Sequence, residues 1–459
     1  MTPNDALALA PFAMLVAGAG VIAIFERALP PDALATRWFA AGIAFAAAVI
    51  ALVTGIGDDA WNGAIHRDAV AAYGAALLSL ATAAAFVLDA ATADVRRTGH
   101  AARAVLTLVV CAGATLLVMA GGLLVLLVAL ELVVLSMIAL VTRESAAGSL
   151  AASRSLFLAG GTASALVAGG VGIAWSATGT FAIGALGTIT TSGGLAAIAL
   201  ILVGLACVAS FVPMHFWLAH AVTALPTPSA LFITVVPRIA ALAALLRCAA
   251  AITSSDAAVD WRACLAVLAA LTLVAGAIGA LGEISLSRAV AYLSIAYFGQ
   301  VAVAAAGLGA NTAIAFALGA FVPLAVGLFA VIGTLPSEDP TVGDLRGLAR
   351  RRPLLFGALA VLLFGLAGVP PTAGFIARLA IFETAVSAQL AWLMFVAALA
   401  TIASAVAAAR IVFAALDPGP GAVLRARPAT ALAVIAAGLV LLGGVVPGPV
   451  LQLAEGIRF

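Results

Sequence analysis

The chain has 459 residues, of which 65% are hydrophobic and only 9% are charged. Soluble domains are about half apolar and about a quarter charged, so the composition excludes an ordinary soluble protein. The formal net charge of +2 gives no indication of a polyanionic partner, and no nucleic-acid partner is expected.

Apolar stretches of a length that suits transmembrane helices, about 20 residues, recur along the whole chain. They are continuously apolar, whereas the strands of a membrane barrel would alternate over about 10 residues. The first stretch is too long for a cleaved signal peptide. The sequence therefore predicts an all-α polytopic membrane protein with about fourteen transmembrane helices, at residues 6–26, 38–55, 69–91, 104–120, 122–142, 152–175, 193–217, 229–252, 262–282, 288–309, 311–335, 354–388, 391–416 and 429–452.

Prolines predict interior breaks in three of these spans. Pro213 interrupts span seven, Pro237 interrupts span eight, and Pro370 interrupts span twelve, which is also too long for one straight crossing. Proline removes a backbone donor and kinks or breaks a helix. In lipid, the carbonyls that lose their donor persist only where protein or water satisfies them.

Spans seven and twelve are both broken at a Val-Pro pair, and they lie five spans apart. Because five is odd, two copies of such a unit would be inverted relative to each other in the membrane. Inverted repeats with discontinuous helices are typical of secondary transporters, whose site lies near the bilayer midplane. The pattern therefore predicts an internal inverted repeat.

All 21 basic residues, histidines aside, are arginines, and the chain contains no lysine. Thirteen arginines fall in the loops after odd-numbered spans and four in the loops on the other side. The positive-inside rule then predicts cytoplasmic odd loops and both termini outside. The four remaining arginines lie within apolar spans and are Arg154, Arg238, Arg378 and Arg410.

Ionisable groups inside a bilayer are costly and functional by default, which draws attention to these arginines and to two glutamates. Glu131 is predicted either to exchange protons or to form a structural ion pair with an arginine of a neighbouring helix. His215, at the break of span seven, is either a proton relay, because its ordinary pKa is near 6.5, or a structural histidine. Arg238, next to Pro237, has an equally good structural interpretation.

The remaining polar candidates have simpler alternatives. Glu383 lies five residues after Arg378, so the two share a helix face poorly, and Glu383 is expected near the membrane surface. Arg410 is expected to extend to an interface. Tyr292 and Tyr297 either line a water path or are ordinary tyrosines at a helix end. The four cysteines are interpreted as small core residues, because they form no spaced pair, and are Cys111, Cys207, Cys248 and Cys264.

Four stretches carry a resemblance to a known family. They are "VALELVVLSMIALVTR", "VPMHFWLAHAVTALPTPSALFITVVPRIAALAALLR", "SRAVAYLSIAYFGQ" and "DLRGLARRRPLLFGALAVLLFGLAGVPPTAGFIARLAIF". With them the chain resembles the antiporter-like membrane subunits of respiratory complex I, in particular the N type. The resemblance implies inverted five-helix repeats at helices 4–8 and 9–13 and broken helices 7 and 12. The chain is accordingly divided into residues 1–103, 104–252, 253–416 and 417–459.

The resemblance also implies roles for single residues. Glu131 matches a glutamate that modulates a neighbouring proton-holding group. Arg154, Arg238 and Arg378 stand where the family has lysines on helices six, eight and twelve, and Val208 stands where it has the lysine of helix seven. A buried lysine can release its proton, whereas arginine stays protonated and valine holds none.

The function implied is that of a membrane-arm subunit which takes part in, or scaffolds, proton translocation coupled to quinone reduction in a bacterial inner membrane. No redox cofactor is expected in this chain, since it has no cysteine cluster and no Gly-rich dinucleotide motif. NADH, flavin, iron–sulfur clusters and quinone are expected in partner subunits, and other membrane subunits and lipid are the expected contacts. The alternatives are a non-pumping scaffold, a cation/proton antiporter or membrane-bound hydrogenase complex, and an unrelated permease.

Overall fold

A computed structural model describes residues 3–26, 33–92, 100–143, 149–253, 260–307, 311–337, 339–419, 421 and 427–457. Within this part the chain is nearly all helical. Two 3₁₀ helices lie at Ile183–Thr188 and Val342–Leu345. The α-helices are α1 Pro3–Ala8, α2 Ala10–Phe25, α3 Ala33–Thr54, α4 Ala69–Ala91, α5 His100–Met119, α6 Leu123–Arg143, α7 Ser149–Thr178, α8 Ser192–Val208, α9 Phe216–Ala224, α10 Thr227–Thr253, α11 Trp261–Leu281, α12 Leu286–Ala306, α13 Asn311–Ile332, α14 Leu348–Arg351, α15 Pro353–Ala367, α16 Ala373–Ser387, α17 Ala391–Leu416, α18 Arg427–Val445 and α19 Gly448–Glu455.

The described helices fit a membrane. Eleven of them are long and apolar enough to cross one. Three shorter apolar helices, α2, α8 and α15, coincide with predicted spans one, seven and twelve. The chain is therefore a multi-pass membrane protein, while the total of fourteen spans and the inverted repeats stay predictions.

Loops at alternate helix ends meet, so successive helices run in opposite directions. Ile65, between α3 and α4, forms a bridge with Ala120, between α5 and α6. Gly122 at the start of α6 bridges Ala182, which follows α7. Loops from alternate connections thus share one end of the bundle, as expected for a chain that crosses back and forth.

The centre of the bundle is formed by α10, α12 and α13. The apolar window of α10 is wholly buried within the chain, and those of α12 and α13 are nearly so. By contrast, only about a third of the apolar windows of α17 and α18 is buried within the chain. A polar group on α10 or α12 is therefore surrounded by protein and must find its hydrogen bonds there.

Two predictions about the helices are wrong. The break expected at Pro237 is absent, because α10 runs from Thr227 to Thr253 with this proline inside it. Neighbouring helices enclose α10 and can satisfy the freed backbone group, which makes an interior proline tolerable. Cys264 is exposed on α11, unlike the other three cysteines, so it is not a core residue.

A buried arginine fastens three helices together at one end of the bundle. Arg247 on α10 donates from both terminal nitrogens to the two carboxylate oxygens of Asp68, each at 2.7 Å. Its Nε donates to the Val118 carbonyl of α5 at 2.9 Å. Asp68 also accepts from the Ala71 amide and so caps the N-terminus of α4. Burial raises the pKa of Asp68, but the bonds and charge of Arg247 outweigh it and hold this pKa below its usual value.

Acid is expected to destabilise the protein partly through Asp68. Because this carboxyl has a lower pKa folded than unfolded, its contribution is complete above the unfolded pKa and is lost as pH falls through the folded one. The unfolding temperature in detergent should therefore fall less in Asp68→Asn than in the parent between about pH 5 and about pH 2. Intrinsic tryptophan fluorescence reports unfolding, since a thiol-reactive dye needs the thiolate and does not label in acid. Asp58→Asn, at an exposed aspartate, is the control, and equal pH slopes for the parent and Asp68→Asn would contradict the expectation.

Candidate functional site

The helix breaks predicted in spans seven and twelve are both present. In the first, α8 ends at Val208 and the chain becomes helical again only at Phe216. In the second, α15 ends at Ala367 and α16 begins at Ala373. The first break is followed by more helix than predicted, since α9 extends to Ala224, beyond the expected end of the span at residue 217.

Arg238 lies fully buried on α10 beside the first break, with a relative exposure of 0%. Its Nε donates to the Ala209 carbonyl at 3.3 Å, and Nη1 donates to the Ser294 hydroxyl at 2.9 Å and to the Thr234 carbonyl at 3.2 Å. Nη2 donates to the Ser294 carbonyl at 3.3 Å. The guanidinium carbon lies 3.9 Å from the ring centre of Phe298. Every one of these described partners is neutral, so the charge is solvated by backbone and hydroxyl oxygens and a π face.

The hydrogen bond from Arg238 to the Ala209 carbonyl replaces a backbone hydrogen bond that the helix cannot form. A helical carbonyl normally accepts from the amide four residues later. For Ala209 that residue is Pro213, which has no N–H. The guanidinium supplies the missing donor, and its positive charge faces the negative end of the α8 dipole.

Arg378 does the same at the second break and is 4% exposed. It lies on α16 and donates from Nη1 to the Ala367 carbonyl and from Nη2 to the Leu366 carbonyl at 3.3 Å. The residues four positions after these two carbonyls are Pro370 and Pro371, which both lack an N–H. One side chain thus satisfies both acceptors at the end of α15.

The last turn of α15 is completely satisfied as a result. The Phe364 carbonyl accepts from the Val369 amide at 2.8 Å, and the Gly365 carbonyl accepts from the Gly368 amide at 3.1 Å. Arg378 takes the two remaining carbonyls of the four that every helix C-terminus leaves open. The predicted functional arginines are therefore also C-terminal caps of the two broken helices.

The central helix α12 lies between the two arginines. Ser294 and Phe298 contact Arg238. On its other side α12 packs against α16, which carries Arg378, and the hydroxyl of Tyr297 on α12 donates to the Ala317 carbonyl at 2.8 Å. Ser294 was not predicted as a site residue, although it lies in the "SRAVAYLSIAYFGQ" stretch, because a lone serine in an apolar span carries no signal of its partner.

His215 and Tyr292 are close to each other but are not linked to either arginine by a described hydrogen bond. Their ring centres are 6.5 Å apart and the ring planes are tilted. His215 is half-buried in the first break, and Pro213 beside it is exposed. Val208, where the family has a lysine, is a buried aliphatic residue at the end of α8. The first break therefore contains one histidine as its only titratable side chain in the described segment 209–215.

Glu131 is not brought to this centre. It is half-buried near the middle of α6, and no described residue forms a hydrogen bond or an ion pair with it. The alternative of a structural ion pair within the chain therefore finds no support among the described residues. Arg154 on α7 is exposed and likewise has no described polar contact.

The other two polar candidates lie at helix ends. Glu383 is exposed one turn before the end of α16. Arg410 on α17 donates to the Ala280 carbonyl at 3.4 Å and to the Glu283 carbonyl, and so caps the C-terminus of α11. Capping of this kind recurs where a guanidinium reaches the end of another helix, at Arg67 with Thr54 of α3, Arg247 with Val118 of α5, and Arg262 with Ala306 of α12.

The arrangement provides two fixed positive charges inside the bundle. A guanidinium has several N–H donors in a rigid plane, so it can bind two carbonyls at once. Because it stays protonated, it is a poor group for passing a proton on. In the described part of the chain no group of three or more His, Cys, Asp or Glu side chains is placed to hold a metal ion. What the two arginines themselves supply is a fixed positive electrostatic potential.

The region that contains both breaks matches a known family. Residues 120–404 match the family model described as "NADH:quinone oxidoreductase/Mrp antiporter, TM". NADH-quinone oxidoreductase subunit N 1 of Streptomyces griseus is 35% identical over 313 residues, which are 66% of this chain and 66% of that protein. NADH-quinone oxidoreductase subunit 14 of Thermus thermophilus is 38% identical over 323 residues, which are 67% of this chain and 70% of that protein. The match thus spans about two thirds of these relatives.

Solved structures share the fold over nearly the full length. A chain of respiratory complex I from Thermus thermophilus with bound aureothin has a TM-score of 0.86 and 29% identity, and the match covers 98% of this chain and 100% of that one. A chain of the Mrp complex from Dietzia sp. also has a TM-score of 0.86, at 22% identity, with coverages of 99% and 97%. The second likeness is one of fold alone.

Proposed function

The chain belongs to the NADH:quinone oxidoreductase/Mrp antiporter transmembrane family, and from this premise we propose that it is the N-type membrane-arm subunit of a complex I-like NADH–quinone oxidoreductase. In this role it takes part in proton translocation that is coupled to quinone reduction elsewhere in the complex. Membership of this family also removes the alternative of an unrelated permease.

The observation that carries the proposed role is the buried cation at each helix break. Arg238 and Arg378 stand where the family resemblance expects the positive charges of the membrane arm, and each caps a helix that ends at a proline. The same device at both breaks supports two inverted repeats, at helices 4–8 and 9–13, with boundaries near residues 104, 253 and 417. The cations act as fixed charges, so a proton route in this subunit passes beside them and uses His215, Glu131 or water.

A scaffold without proton transport is the second candidate, and Val208 favours it. The family's lysine on helix seven would hold a proton next to the first break, and a buried valine cannot. In a scaffold, the two arginines would keep the broken helices intact and preserve the shape that neighbouring subunits recognise. Both candidates share the same complex and the same partners.

The proposed partners are the other membrane subunits of the complex, and NADH, flavin, iron–sulfur clusters and quinone belong to subunits outside this chain. We place the protein in a bacterial inner membrane with both termini on the outer side. The arginine-rich loops, such as the one with Arg350, Arg351 and Arg352, then face the cytoplasm.

Purification of the tagged chain from its native membranes should bring down the other subunits of an NADH–quinone oxidoreductase in comparable amounts. A mild detergent and quantitative mass spectrometry provide the measurement, and a tagged membrane protein of similar size from another system is the control. Co-purification with the subunits of a cation/proton antiporter or hydrogenase complex would assign the chain to that complex instead. Purification of the chain without any other subunit would contradict the proposed function.

A further inference from the structure

Three arginine side chains without a described partner lie just before α15, the first half of the second broken helix. Arg346 and Arg350 are exposed, and Arg352 is half-buried next to Pro353, where α15 begins. No described residue forms an ion pair or a side-chain hydrogen bond with any of the three. Arg351 differs, because its guanidinium donates to backbone carbonyls of its own loop. Three guanidinium groups are thus free to bind an anion.

Nearby carboxylates do not neutralise this end of the bundle. The segment 339–352 contains four arginines and two aspartates, Asp339 and Asp344. Both aspartates already accept hydrogen bonds from hydroxyl groups of neighbouring residues. Asp417, at the end of α17, adds a third carboxylate, since its carbonyl accepts from the Gly347 amide at 2.8 Å. The local charge remains positive, which complements an anionic partner.

An apolar stripe of α15 begins directly beside these arginines. Leu354 is 75% exposed and Gly357 is exposed, while Val361 and Phe364 are half-buried, at the spacing of one helix face. A Cβ at Gly357 would meet nothing within 4 Å, so the stripe is open there. Because α15 packs on α13, α17 and α18 with its other sides, the stripe lies on the perimeter of the chain.

We propose that this end of α15 binds an anionic phospholipid, with the phosphate at Arg346, Arg350 and Arg352 and an acyl chain along the stripe from Leu354 to Phe364. Basic side chains at the end of a transmembrane helix attract anionic lipids. A guanidinium binds phosphate oxygens with two parallel hydrogen bonds, and its long stem allows it to reach the headgroup level. The inference requires only a multi-pass membrane protein and goes beyond the proposed function.

An acidic segment of another protein fits this surface less well. Such a segment would satisfy the arginines, but it would leave the apolar stripe uncovered. The stripe extends over ten residues from Leu354 to Phe364, which is about 15 Å along a helix. That is about half of a hydrocarbon core of about 30 Å, and so the depth of one lipid leaflet. One phospholipid thus matches both the charge and the length.

Photolabelling of the intact complex tests the site. The complex is reconstituted in phosphatidylcholine vesicles with a small fraction of phosphatidylglycerol that carries a photoreactive group in one acyl chain. After irradiation, mass spectrometry should find label in the segment 353–364 of α15. Unlabelled phosphatidylglycerol should displace it, whereas added phosphatidylcholine of the same chain length should not. Glycerol phosphate, which has the phosphate without the acyl chains, should not displace it either.

Substitution of the arginines separates a charge-specific site from general contact with lipid. Arg350→Gln and Arg352→Gln together should weaken phosphatidylglycerol labelling of this segment about 25-fold, at about fivefold for each arginine. The matching double lysine variant keeps the charge and should keep most of the label. Arg143→Gln, at an exposed arginine on the end of α6, is the matched control and should change nothing. In detergent without added lipid, all these variants should unfold at the temperature of the parent.

Several results would overturn the inference. These are displacement by phosphatidylcholine, displacement by glycerol phosphate, undiminished labelling in the double glutamine variant, or an equal loss in the double lysine variant. Absence of label from α15 in the intact complex would also overturn it, because another subunit would then cover this face. Each of these results in a complex that still co-purifies would leave the proposed function standing.

Discussion

Replacing Arg238 by alanine is expected to cost about 3–5 kcal/mol of stability, from a large cavity in the core and from acceptors that lose their donor. The Ala209 carbonyl is the most affected acceptor, because Pro213 gives it no backbone alternative. An opposing effect is the relief of a buried charge that has no carboxylate near it among its described contacts. The loss of volume and of several hydrogen bonds at once outweighs that relief.

Two further variants separate these effects. Arg238→Met nearly keeps the side-chain volume and removes the charge. Its loss of stability should therefore come only from the Ala209 carbonyl, which is left without a donor, and should be about 1–3 kcal/mol. Arg238→Lys keeps the charge but concentrates its donors on one nitrogen, and it should fall between the parent and alanine. Arg350→Ala, at an exposed arginine on the short helix α14, is the control and should change little. Unfolding temperatures in detergent at neutral pH give the ranking. A thiol-reactive dye that labels the buried cysteines as they become exposed reads them in a Cys264→Ser background.

A different order of stability among these variants would show which part of the explanation is wrong. If Arg238→Met is as stable as the parent, the carbonyl cap does not matter and Arg238 is retained for its charge. In the assembled complex, the ratio of protons pumped to electrons transferred in Arg238→Lys then becomes informative. A fixed-charge role predicts an unchanged ratio, whereas a proton-exchanging site would respond to a group that can lose its proton.

The breaks at residues 209–215 and 368–372 were predictable from sequence because proline acts locally. A missing N–H affects the carbonyl four residues earlier, whatever surrounds the helix. The same rule predicted a break at Pro237, where none occurs. The difference lies in tertiary packing: α10 is enclosed on all sides, so its helix continues through the proline. Sequence alone does not show this enclosure.

The direction of Glu131 could not be predicted for a related reason. Most residues of α6 are apolar on every face, so the sequence has no polar stripe that distinguishes outside from inside. The outward face appears only when α5 and α7 cover the other sides. A carboxylate in an apolar helix is evident from the sequence, but the direction that it faces is set by helix packing.

The capping arginines show the same limit at longer range. Arg262 and Arg410 bond to carbonyls of α12 and α11, which are far from them along the chain. An arginine inside an apolar span signals a buried or interfacial charge, yet its acceptor is set by helix packing. By contrast, Pro370 and Pro371 leave the Leu366 and Ala367 carbonyls without backbone donors, and Arg378 follows only a few residues later. This pairing could have been inferred from the local sequence.

Gly368→Ala is expected to disturb the second break almost as much as loss of Arg378 itself. Gly368 adopts a left-handed conformation with φ of +75°, which costs an alanine about 1–2 kcal/mol. A Cβ at this position would also lie 2.5 Å from Nε of Arg378, so the guanidinium must move off the Leu366 and Ala367 carbonyls. Together these effects are expected to cost about 2–4 kcal/mol.

The double variant tests whether the two changes act through the same contact. Gly368→Ala and Arg378→Ala should together cost at least about 1 kcal/mol less than the sum of the single effects, because the clash disappears with the guanidinium. Gly357→Ala on α15 is the matched control, since its Cβ meets nothing within 4 Å, and in a helix interior it should be neutral or stabilising. Strict additivity would mean that Gly368 is required only for its backbone conformation, and that the close approach of Arg378 has no energetic consequence.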